Sequence, residues 1–316
     1  MPNPSVLITD CDHPDTAIER AIFTAAGLDV RQGNCRTEDD VLAAAGDAVA
    51  LLVQYAPVGE RVFAGLPSCQ VVGRYGAGLD TIDLAAARAH GVDVVHVPDY
   101  AIAEVSDHTI ALVLAVCRRL TAYSSAVRSG RWDMRSAGTV YRLSALRLGV
   151  IGLGRIGQMV ARKAAAFSFD VVGYDIAPPD GSPVPLLSLE ELLATSDVVT
   201  LHLPLTARTH HLIDAARLAL MRPTAVLVNT SRGGVVDQAA LAAAIASGTL
   251  AGAALDVLER EPPDPADALL AATQVIITPH VAFYSEQALA ELNRRVAENI
   301  VAALTRRGAL GRTYLS

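Results

Sequence analysis

Short apolar runs alternate with longer amphipathic patterns along most of the chain. The apolar runs are rich in Val, Ile and Leu, as in strands that are buried on both faces. The longer patterns repeat apolar residues at helical spacing, and Gly or Pro ends many of the elements. This alternation predicts parallel sheets that are covered by helices on both faces.

The same pattern locates the individual elements. Strands are expected over residues 6–8, 28–30, 50–53, 71–72, 92–97, 146–151, 171–174, 198–203, 225–228, 253–255 and 275–277. Helices are expected over residues 15–26, 38–45, 84–90, 158–167, 189–194, 238–247 and 286–305.

One further helical pattern, residues 104–127, is longer and more apolar than one face of a domain requires. Ile110, Val113 and Leu120 are among its apolar positions. We therefore expect this helix to contribute to a subunit interface and the protein to be a homodimer.

A predicted strand leads into a glycine-rich turn with the spacing Gly-x-Gly-x-x-Gly. Gly152 permits a tight turn, Gly154 lets the backbone approach a pyrophosphate, and Gly157 lets the following helix pack on the strand. The N-terminus of that helix offers free N–H groups to the phosphates. These features predict a Rossmann domain whose cofactor-binding turn also includes Arg155 and Ile156.

One acidic residue distinguishes between the two nicotinamide cofactors. Asp175 ends the next predicted strand and can accept hydrogen bonds from both ribose hydroxyls of an adenosine. Its carboxylate repels a 2′-phosphate, and residues 176–178 supply no Arg to hold one. The sequence therefore favours NAD over NADP.

Composition and charge exclude several classes of protein. With 316 residues, 52% of them hydrophobic and 19% charged, the chain can form two domains with sizeable cores. The net charge of −7 and the lack of a basic block argue against a nucleic-acid partner. Neither a run long enough to span a membrane nor a signal peptide is evident, so we expect a cytoplasmic location.

The cysteines and histidines do not predict a metal site. The four cysteines are scattered and contain no Cys-x-x-Cys pair, so neither zinc nor a disulfide scaffold is favoured. His202, His210 and His211 are close in sequence, but no carboxylate or cysteine completes a ligand set. We expect no bound metal.

Four polar side chains lie at or after the ends of predicted strands in the second half of the chain: Arg232, Asp256, Glu261 and His280. Ligands of open α/β sheets bind beyond the carboxyl ends of the strands. An Arg can hold a carboxylate and polarise a carbonyl, and a His beside an acid can protonate the carbonyl oxygen. Together these residue types suit carbonyl reduction by a nicotinamide cofactor.

Over almost its whole length the sequence resembles the D-isomer-specific 2-hydroxyacid dehydrogenases. The likeness rests on Gly-Leu-Gly-Arg-Ile-Gly at 152–157, Asn-Thr-Ser-Arg-Gly-Gly at 229–234, Ala-Leu-Asp-Val-Leu-Glu-Arg-Glu-Pro at 254–262 and Thr-Pro-His at 278–280. The resemblance implies that Arg232 binds and polarises the substrate. It also implies that Glu261 pairs with His280 and that His280 is the acid/base.

The resemblance further implies which residues contact the ligands. Its cofactor contacts are Leu203, Pro204, Thr209, Thr230, Ser231 and Asp256, of which Asp256 touches the nicotinamide amide. Its substrate contacts are Tyr55, Arg74, Gly76, Ala77, Gly78 and Phe283, of which Arg74 holds the substrate carboxylate.

Residues 74–80, 210–213 and 284–288 resemble the branch of the C-terminal-binding proteins and the phosphoglycerate-dehydrogenase-like enzymes. Phe283 stands where that branch carries Trp, which implies a roomier pocket. The likeness leaves a second function open, an NAD(H)-sensing interaction protein without physiological turnover. Oxidation of another anion, such as phosphite or formate, is a third.

Together these observations predict an NAD-dependent oxidoreductase that interconverts a small 2-oxo acid and a D-2-hydroxy acid. We expect a discontinuous, flavodoxin-like substrate domain formed by residues 1–98 and 286–316. The NAD-binding Rossmann domain, residues 99–285, is expected to be inserted in it.

Overall fold

The computed structural model describes residues 3–310 and divides into two compact units. The first unit holds the chain up to Tyr100 and again from Ser285 onward. The second unit is the continuous segment Ala101–Tyr284. Each unit is built on one parallel sheet with helices packed against it, which confirms the predicted α/β class with two doubly wound domains.

The elements follow the predicted alternation of strands and helices. The strands are β1 (Ser5–Ile8), β2 (Asp29–Gln32), β3 (Ala50–Val53), β4 (Val71–Arg74), β5 (Asp93–Val95), β6 (Arg147–Ile151), β7 (Asp170–Tyr174), β8 (Val198–Leu201), β9 (Val226–Asn229), β10 (Gly252–Leu255) and β11 (Val275–Ile277). The helices are α1 (Ala17–Ala25), α2 (Glu38–Ala45), α3 (Glu60–Gly65), α4 (Leu84–Ala89), α5 (Ile102–Cys117), α6 (Leu120–Arg128), α7 (Arg155–Ala166), α8 (Leu189–Thr195), α9 (Ala215–Leu218), α10 (Gln238–Ala246), α11 (Ala268–Ala271) and α12 (Glu286–Arg306).

The order of the strands shows where ligands can bind. The first unit has the flavodoxin-like order β2-β1-β3-β4-β5, and the second has the order β11-β10-β9-β8-β6-β7. An isolated bridge from Gly173 to Leu186 extends the second sheet beyond β7. The chain changes direction across this sheet between β6 and β8. Their carboxyl ends are therefore the expected ligand-binding edge.

The last helix belongs to the first unit. Helix α12 packs on α1 and β4, and its apolar residues Val296, Ala297 and Ile300 are fully buried there. They share a core with Val6 and Ile8 of β1, on the face of the sheet opposite α2, α3 and α4. Helix α12 thus covers one face of a sheet whose strands all lie in the first hundred residues.

The predicted single helix over 104–127 is instead two helices. Arg119 adopts a left-handed conformation (φ 52°) between α5 and α6, whose axes differ by 59°. Ile110 and Val113 are buried in the core of the second unit, because α5 packs on α7, β9 and β10. The apolarity of α5 is therefore explained by its own domain, whereas Leu120 at the start of α6 is 56% exposed.

Three short helices, α3, α9 and α11, were not predicted, because four to six residues carry too little periodicity to be recognised. Within residues 3–310 no single helix combines the length and apolarity needed to cross a membrane. Helices α5 and α6 satisfy that test together by length and composition, although they are bent at Arg119.

Candidate active site

The glycine-rich turn after β6 has the geometry that its sequence predicts. Gly152 has φ +92°, and a Cβ there would lie 2.4 Å from the carbonyl oxygen of His202. A Cβ on Gly157 would lie 1.9 Å from the carbonyl oxygen of Gly152. Gly154, in contrast, faces open space and caps the N-terminus of α7, which begins at Arg155. The turn therefore leaves its outer side free for a bound group.

Asp175 is held against this turn. Its Oδ2 accepts a 2.7 Å hydrogen bond from the backbone N–H of Leu153, and its Oδ1 accepts one of 2.8 Å from Ala177. A carboxylate oxygen can accept two hydrogen bonds, so both oxygens retain capacity for ribose hydroxyls. An open glycine at a helix N-terminus with a fixed carboxylate beside it fits a dinucleotide.

The segment after β8 forms the neighbouring wall of this site. A Cβ on Gly152 would lie 2.9 Å from Cδ2 of Leu203, so Leu203 lies directly against the turn. The Thr209 hydroxyl donates to the Pro204 carbonyl at 2.6 Å and accepts from the Thr206 backbone N–H at 2.8 Å. Three predicted cofactor contacts, Leu203, Pro204 and Thr209, thus lie in one folded loop beside the glycine turn.

The turn after β9 is organised by Asn229. Its amide donates to the carbonyl oxygen of Arg232 at 2.9 Å, and its Oδ1 accepts from the backbone and the hydroxyl of Ser231. Thr230 is buried, and its hydroxyl lies 2.8 Å from that of Thr109 on α5. The Arg232 side chain therefore extends from a turn whose polar groups are largely hydrogen-bonded.

A close backbone contact brings the Arg232 turn onto the loop after β10. A Cβ on Gly233 would lie 1.9 Å from the carbonyl carbon of Leu258 and 2.4 Å from the backbone nitrogen of Glu259. Only glycine allows this approach. The contact fixes the spacing between Arg232 and Glu261, which the two loops carry.

Glu261 and His280 form a hydrogen-bonded pair. His280 Nδ1 lies 2.6 Å from Oε2 of Glu261, and Oε1 of Glu261 accepts a 2.9 Å hydrogen bond from the backbone N–H of Leu258. Burial opposes the ionised form of Glu261. The hydrogen bond and charge of His280, the Leu258 N–H and the nearby Arg232 outweigh it, so the pKa of Glu261 lies below its ordinary value.

The ionised carboxylate determines which nitrogen of His280 carries a proton. Because a carboxylate can only accept, Nδ1 is the donor in this pair. Nε2 is then the ring nitrogen that can exchange a proton with a ligand. The Phe283 ring lies edge-on to the imidazole, with 6.4 Å between the ring centroids.

The backbone on either side of His280 is hydrogen-bonded to Asp256. His280 itself has a left-handed conformation (φ 54°), which is rare for a residue other than glycine and is typical of functional turns. Its backbone N–H donates to the Asp256 carbonyl at 2.8 Å. The Asp256 carboxylate accepts from the backbone N–H groups of Val281 (3.0 Å) and Ala282 (2.9 Å).

The predicted substrate residues of the first unit lie at the carboxyl ends of β3 and β4. The Arg74 guanidinium lies over Gly76, where a Cβ would be 1.8 Å from Arg74 Nη1. Gly76 has φ +122°, Ala77 is exposed and Gly78 is half-buried. Tyr55 is 40% exposed. These residues therefore form one edge of the sheet in the first unit.

Sequence reasoning missed Asp12, which lies at the same edge. Its Oδ2 is 3.4 Å from the Tyr55 hydroxyl, and its Oδ1 accepts a hydrogen bond from the Gln54 amide. Burial, together with the charge of Asp12, raises the pKa of Tyr55 to about 12. An acid two residues after a buried aspartate resembles an ordinary loop residue, and only the contact with Tyr55 distinguishes it.

The histidines that were considered as metal ligands have other contacts. His210 and His211 stack with 4.0 Å between their ring centroids, and His211 Nε2 lies 2.5 Å from Glu259. His202 contacts the Thr200 hydroxyl at 3.0 Å. Within the described part of the chain, no group of three or more His, Cys, Asp or Glu side chains is arranged to hold a metal ion.

Residues 110–282 match the family model of the D-isomer-specific 2-hydroxyacid dehydrogenase NAD-binding domain. The chain therefore belongs to the D-isomer-specific 2-hydroxyacid dehydrogenase family, as its motifs predict. The second unit is its NAD-binding Rossmann domain, and the protein is an oxidoreductase of 2-hydroxy acids that uses a nicotinamide cofactor.

Two curated relatives illustrate the range of this family. The chain is 35% identical over 273 residues to a glycerate dehydrogenase of Methylorubrum extorquens, covering 84% of this chain and 86% of the relative. It is 40% identical over 311 residues to the D-3-phosphoglycerate dehydrogenase of Mycobacterium bovis, covering 96% of this chain but only 57% of that enzyme. The chain thus spans little more than half the length of the phosphoglycerate enzyme.

One solved structure matches this chain over nearly its whole length. The D-lactate dehydrogenase of Aquifex aeolicus, complexed with NAD and lactic acid, is similar with a TM-score of 0.85 at 29% identity. The match covers 98% of this chain and all of the other. The likeness therefore extends over both units.

Proposed function

We propose that this enzyme interconverts a small 2-oxo acid and its D-2-hydroxy acid, with His280 as the acid/base. The observation that carries the proposal is the 2.6 Å pair of His280 and Glu261, of which Glu261 lies on the loop held against the turn of Arg232. An imidazole that is oriented by a carboxylate, with a guanidinium close enough to lower the pKa of that carboxylate, suits the protonation of a carbonyl oxygen.

Each of the three side chains has a defined task in reduction. NAD(H), when bound, supplies or accepts the hydride at the substrate's second carbon. His280 Nε2 donates the proton that the carbonyl oxygen needs, and Glu261 stabilises the positive charge of the imidazolium beforehand. Arg232 attracts electron density toward the carbonyl oxygen and holds the substrate. In the oxidative direction His280 takes the proton back.

We propose NAD as the preferred cofactor. Asp175 already faces the glycine turn through its bond to Leu153, so a 2′-phosphate would meet a fixed negative charge. Gly152, Gly154, Arg155, Ile156 and Gly157 would hold the pyrophosphate. Leu203, Pro204, Thr209, Thr230, Ser231 and Asp256 stay predicted cofactor contacts.

We propose a substrate without a phosphate group. The segments 9–13, 54–57 and 74–78, which end β1, β3 and β4, contain one Arg, no Lys and two Asp. Arg74 is needed for the substrate carboxylate, and the exposed Asp12 would repel a second anion near Tyr55. Glycerate- or glyoxylate-type acids fit these charges better than phosphoglycerate.

Homodimer formation and a cytoplasmic location stay predictions. The second unit exposes several large apolar side chains after the break at Arg119. Trp132 is 90% exposed, Met134 80% and Leu120 56%. Large exposed apolar side chains in one stretch of the chain favour association over an isolated monomer, and light scattering at micromolar concentration measures the oligomeric state directly.

The first test is NADH oxidation at neutral pH against glyoxylate, pyruvate, hydroxypyruvate, branched and aromatic 2-oxo acids, with NADPH in parallel. Turnover that disappears in His280→Ala while NADH binding persists supports the proposal. Turnover that survives in this variant would remove His280 from its assigned role. NADH binding without reduction of any acid would favour the NAD(H)-sensing alternative.

A further inference from the structure

A hydrogen-bonded chain connects helix α5 to the turn of His280. His108, on α5, has its Nε2 3.1 Å from the hydroxyl of Thr278. The Thr278 hydroxyl donates to Oδ1 of Asp256 at 2.5 Å. Since a hydroxyl has one proton to give, Thr278 accepts from His108, and Nε2 of His108 carries a proton.

The last group in this series of hydrogen bonds is the Asp256 carboxylate, which holds the turn of His280. Asp256 is 2% exposed and accepts the Thr278 hydroxyl and the backbone N–H groups of Val281 and Ala282. A buried carboxylate requires such donors, because desolvation without them is costly. The same donors draw residues 278–282 around Asp256. The left-handed conformation of His280 is thereby kept in place.

His108 is the side chain that orients Thr278. Its Nε2 also lies 3.7 Å from Oδ1 of Asp256, so this histidine is close to the buried acid as well as to Thr278. The next residue, Thr109, bonds to Thr230 of the Arg232 turn. Two adjacent residues of α5 therefore contact the segments after β9 and β11, which carry Arg232 and His280.

We infer that His108 is a positioning residue for His280, acting through Thr278 and Asp256. It touches neither Glu261 nor the imidazole of His280, so its effect is on placement and not on proton transfer itself. This inference rests on the proposed role of His280. Loss of these hydrogen bonds lets the turn of His280 relax, and small displacements of a catalytic group reduce turnover strongly.

The test compares substitutions that keep or remove a donor at the position of Nε2. Glutamine places an amide nitrogen near the position of Nε2, whereas asparagine is too short to reach Thr278. We expect His108→Asn and His108→Ala to lower kcat by about tenfold with little change in KM. We expect His108→Gln to stay within about threefold of the wild type. His90→Ala, at a partly exposed histidine of the first unit, is the matched control.

A double substitution tests whether His108 acts through Thr278. Thr278→Val removes the hydroxyl at nearly constant volume, and Thr278→Ser keeps it. If both residues act through the same series of hydrogen bonds, adding His108→Ala to Thr278→Val should lower kcat no further. Additive losses of kcat, or equal activity of the Asn and Gln variants, would overturn the inference.

Hydrogen exchange separates this inference from the proposed function. The backbone N–H groups of Val281 and Ala282 should exchange faster in His108→Ala and His108→Asn than in the wild type or His108→Gln. This readout needs no turnover, so it applies even if no 2-oxo acid is reduced. Unchanged protection of residues 280–282 in His108→Ala would refute the inference, whereas activity of His280→Ala would refute only the proposed function.

Discussion

The Leu153 backbone N–H and the Asp175 carboxylate are joined by a 2.7 Å hydrogen bond. The bond ties the end of β7 to the glycine turn after β6, two neighbouring strands of one sheet. The acidic side chain therefore has its position before any cofactor arrives, and a ligand need not order it. Preorganisation of this kind favours selectivity, because the repulsion of a 2′-phosphate cannot be relieved by rotation of the side chain.

Removing this charge and adding a basic residue should change cofactor preference. Ile176 is 79% exposed and follows Asp175 directly. We expect Asp175→Ser with Ile176→Arg to raise the NADPH-to-NADH ratio of kcat/KM by about a hundredfold, since the loss of one repulsion and the gain of one attraction contribute about 1.4 kcal/mol each and their effects on the ratio multiply. Steady-state kinetics with both cofactors measure the ratio, and Ile176→Arg alone is the control. A wild type that uses both cofactors equally well would contradict the role of Asp175.

The pair of Glu261 and His280 predicts a pH effect. The pKa of Glu261 lies below its ordinary value of 4.5, so the carboxylate is ionised throughout neutral pH and can accept the Nδ1 proton of His280. In Glu261→Gln this charge is absent at every pH, so kcat/KM should be lower at neutral pH and should no longer change as the pH falls through the pKa of Glu261. The acidic limb of the pH profile of kcat/KM reports this difference. An acidic limb that is the same in both proteins would show that the carboxylate does not act by its charge.

The glycines of the turn predict opposite results for two alanine substitutions. Gly154→Ala meets nothing within 4 Å and should fold normally but bind NADH poorly. Gly157→Ala places a methyl group 1.9 Å from the Gly152 carbonyl oxygen and should lower the free energy of unfolding by about 1–3 kcal/mol. Thermal melting and NADH titration of both variants check the pair. Equal losses of stability in the two variants would mean that Gly157 is packed less tightly than these distances indicate.

A buried acid in the first unit predicts a stability effect. Glu19 is fully buried, and its Oε1 accepts a 2.5 Å hydrogen bond from Tyr75. Burial raises its pKa above 4.5, so above that pH the unfolded chain releases a proton that the folded chain retains. The free energy of unfolding therefore falls as the pH rises from 4.5 through the folded pKa.

Replacement of Glu19 by Gln removes this titration. Denaturant unfolding of Glu19→Gln should show a smaller loss of stability between acidic and neutral pH than the wild type. Glu190→Gln, at an exposed position of α8, should behave as the wild type does. Identical pH slopes for all three proteins would show that Glu19 does not titrate differently in the folded state.

The negative charge of Asp12 leads to a prediction about the charge of the substrate. We expect Asp12→Asn to improve kcat/KM for 3-phosphohydroxypyruvate relative to hydroxypyruvate by roughly tenfold, since a unit charge a few ångströms away contributes about 1–2 kcal/mol near a protein surface. Asp15→Asn, at an exposed acid that caps the start of α1, is the control. A wild type that already prefers the phosphorylated acid would overturn the proposed substrate class.

The fold was largely predictable because its signals are local. Buried strands such as Ala50–Val53 and the glycine turn at Gly152 carry their own composition and spacing. The second sheet also brings Arg232, Glu261 and His280 to one edge, because each follows a parallel strand. The positions of these residues at strand ends therefore predicted that their side chains lie close together, and their roles in a reaction stay proposals.

What could not be predicted depends on tertiary contacts. His108 lies in an apolar helix, where a single histidine resembles a core residue, and its partner Thr278 is 170 positions away. The break at Arg119 is equally hidden, because apolar periodicity continues through it and only a left-handed φ separates α5 from α6. Such features are decided by what packs against the segment and not by its own sequence.

The place of β11 at the edge of its sheet has a consequence for how the enzyme loses activity on heating. Among the residues that the structure describes, this strand of three residues pairs only with β10, and it leads directly into the turn of His280. Edge elements with few partners open before the rest of a domain. Inactivation by heat should therefore begin as a reversible fraying of one strand, at temperatures where both cores are still intact.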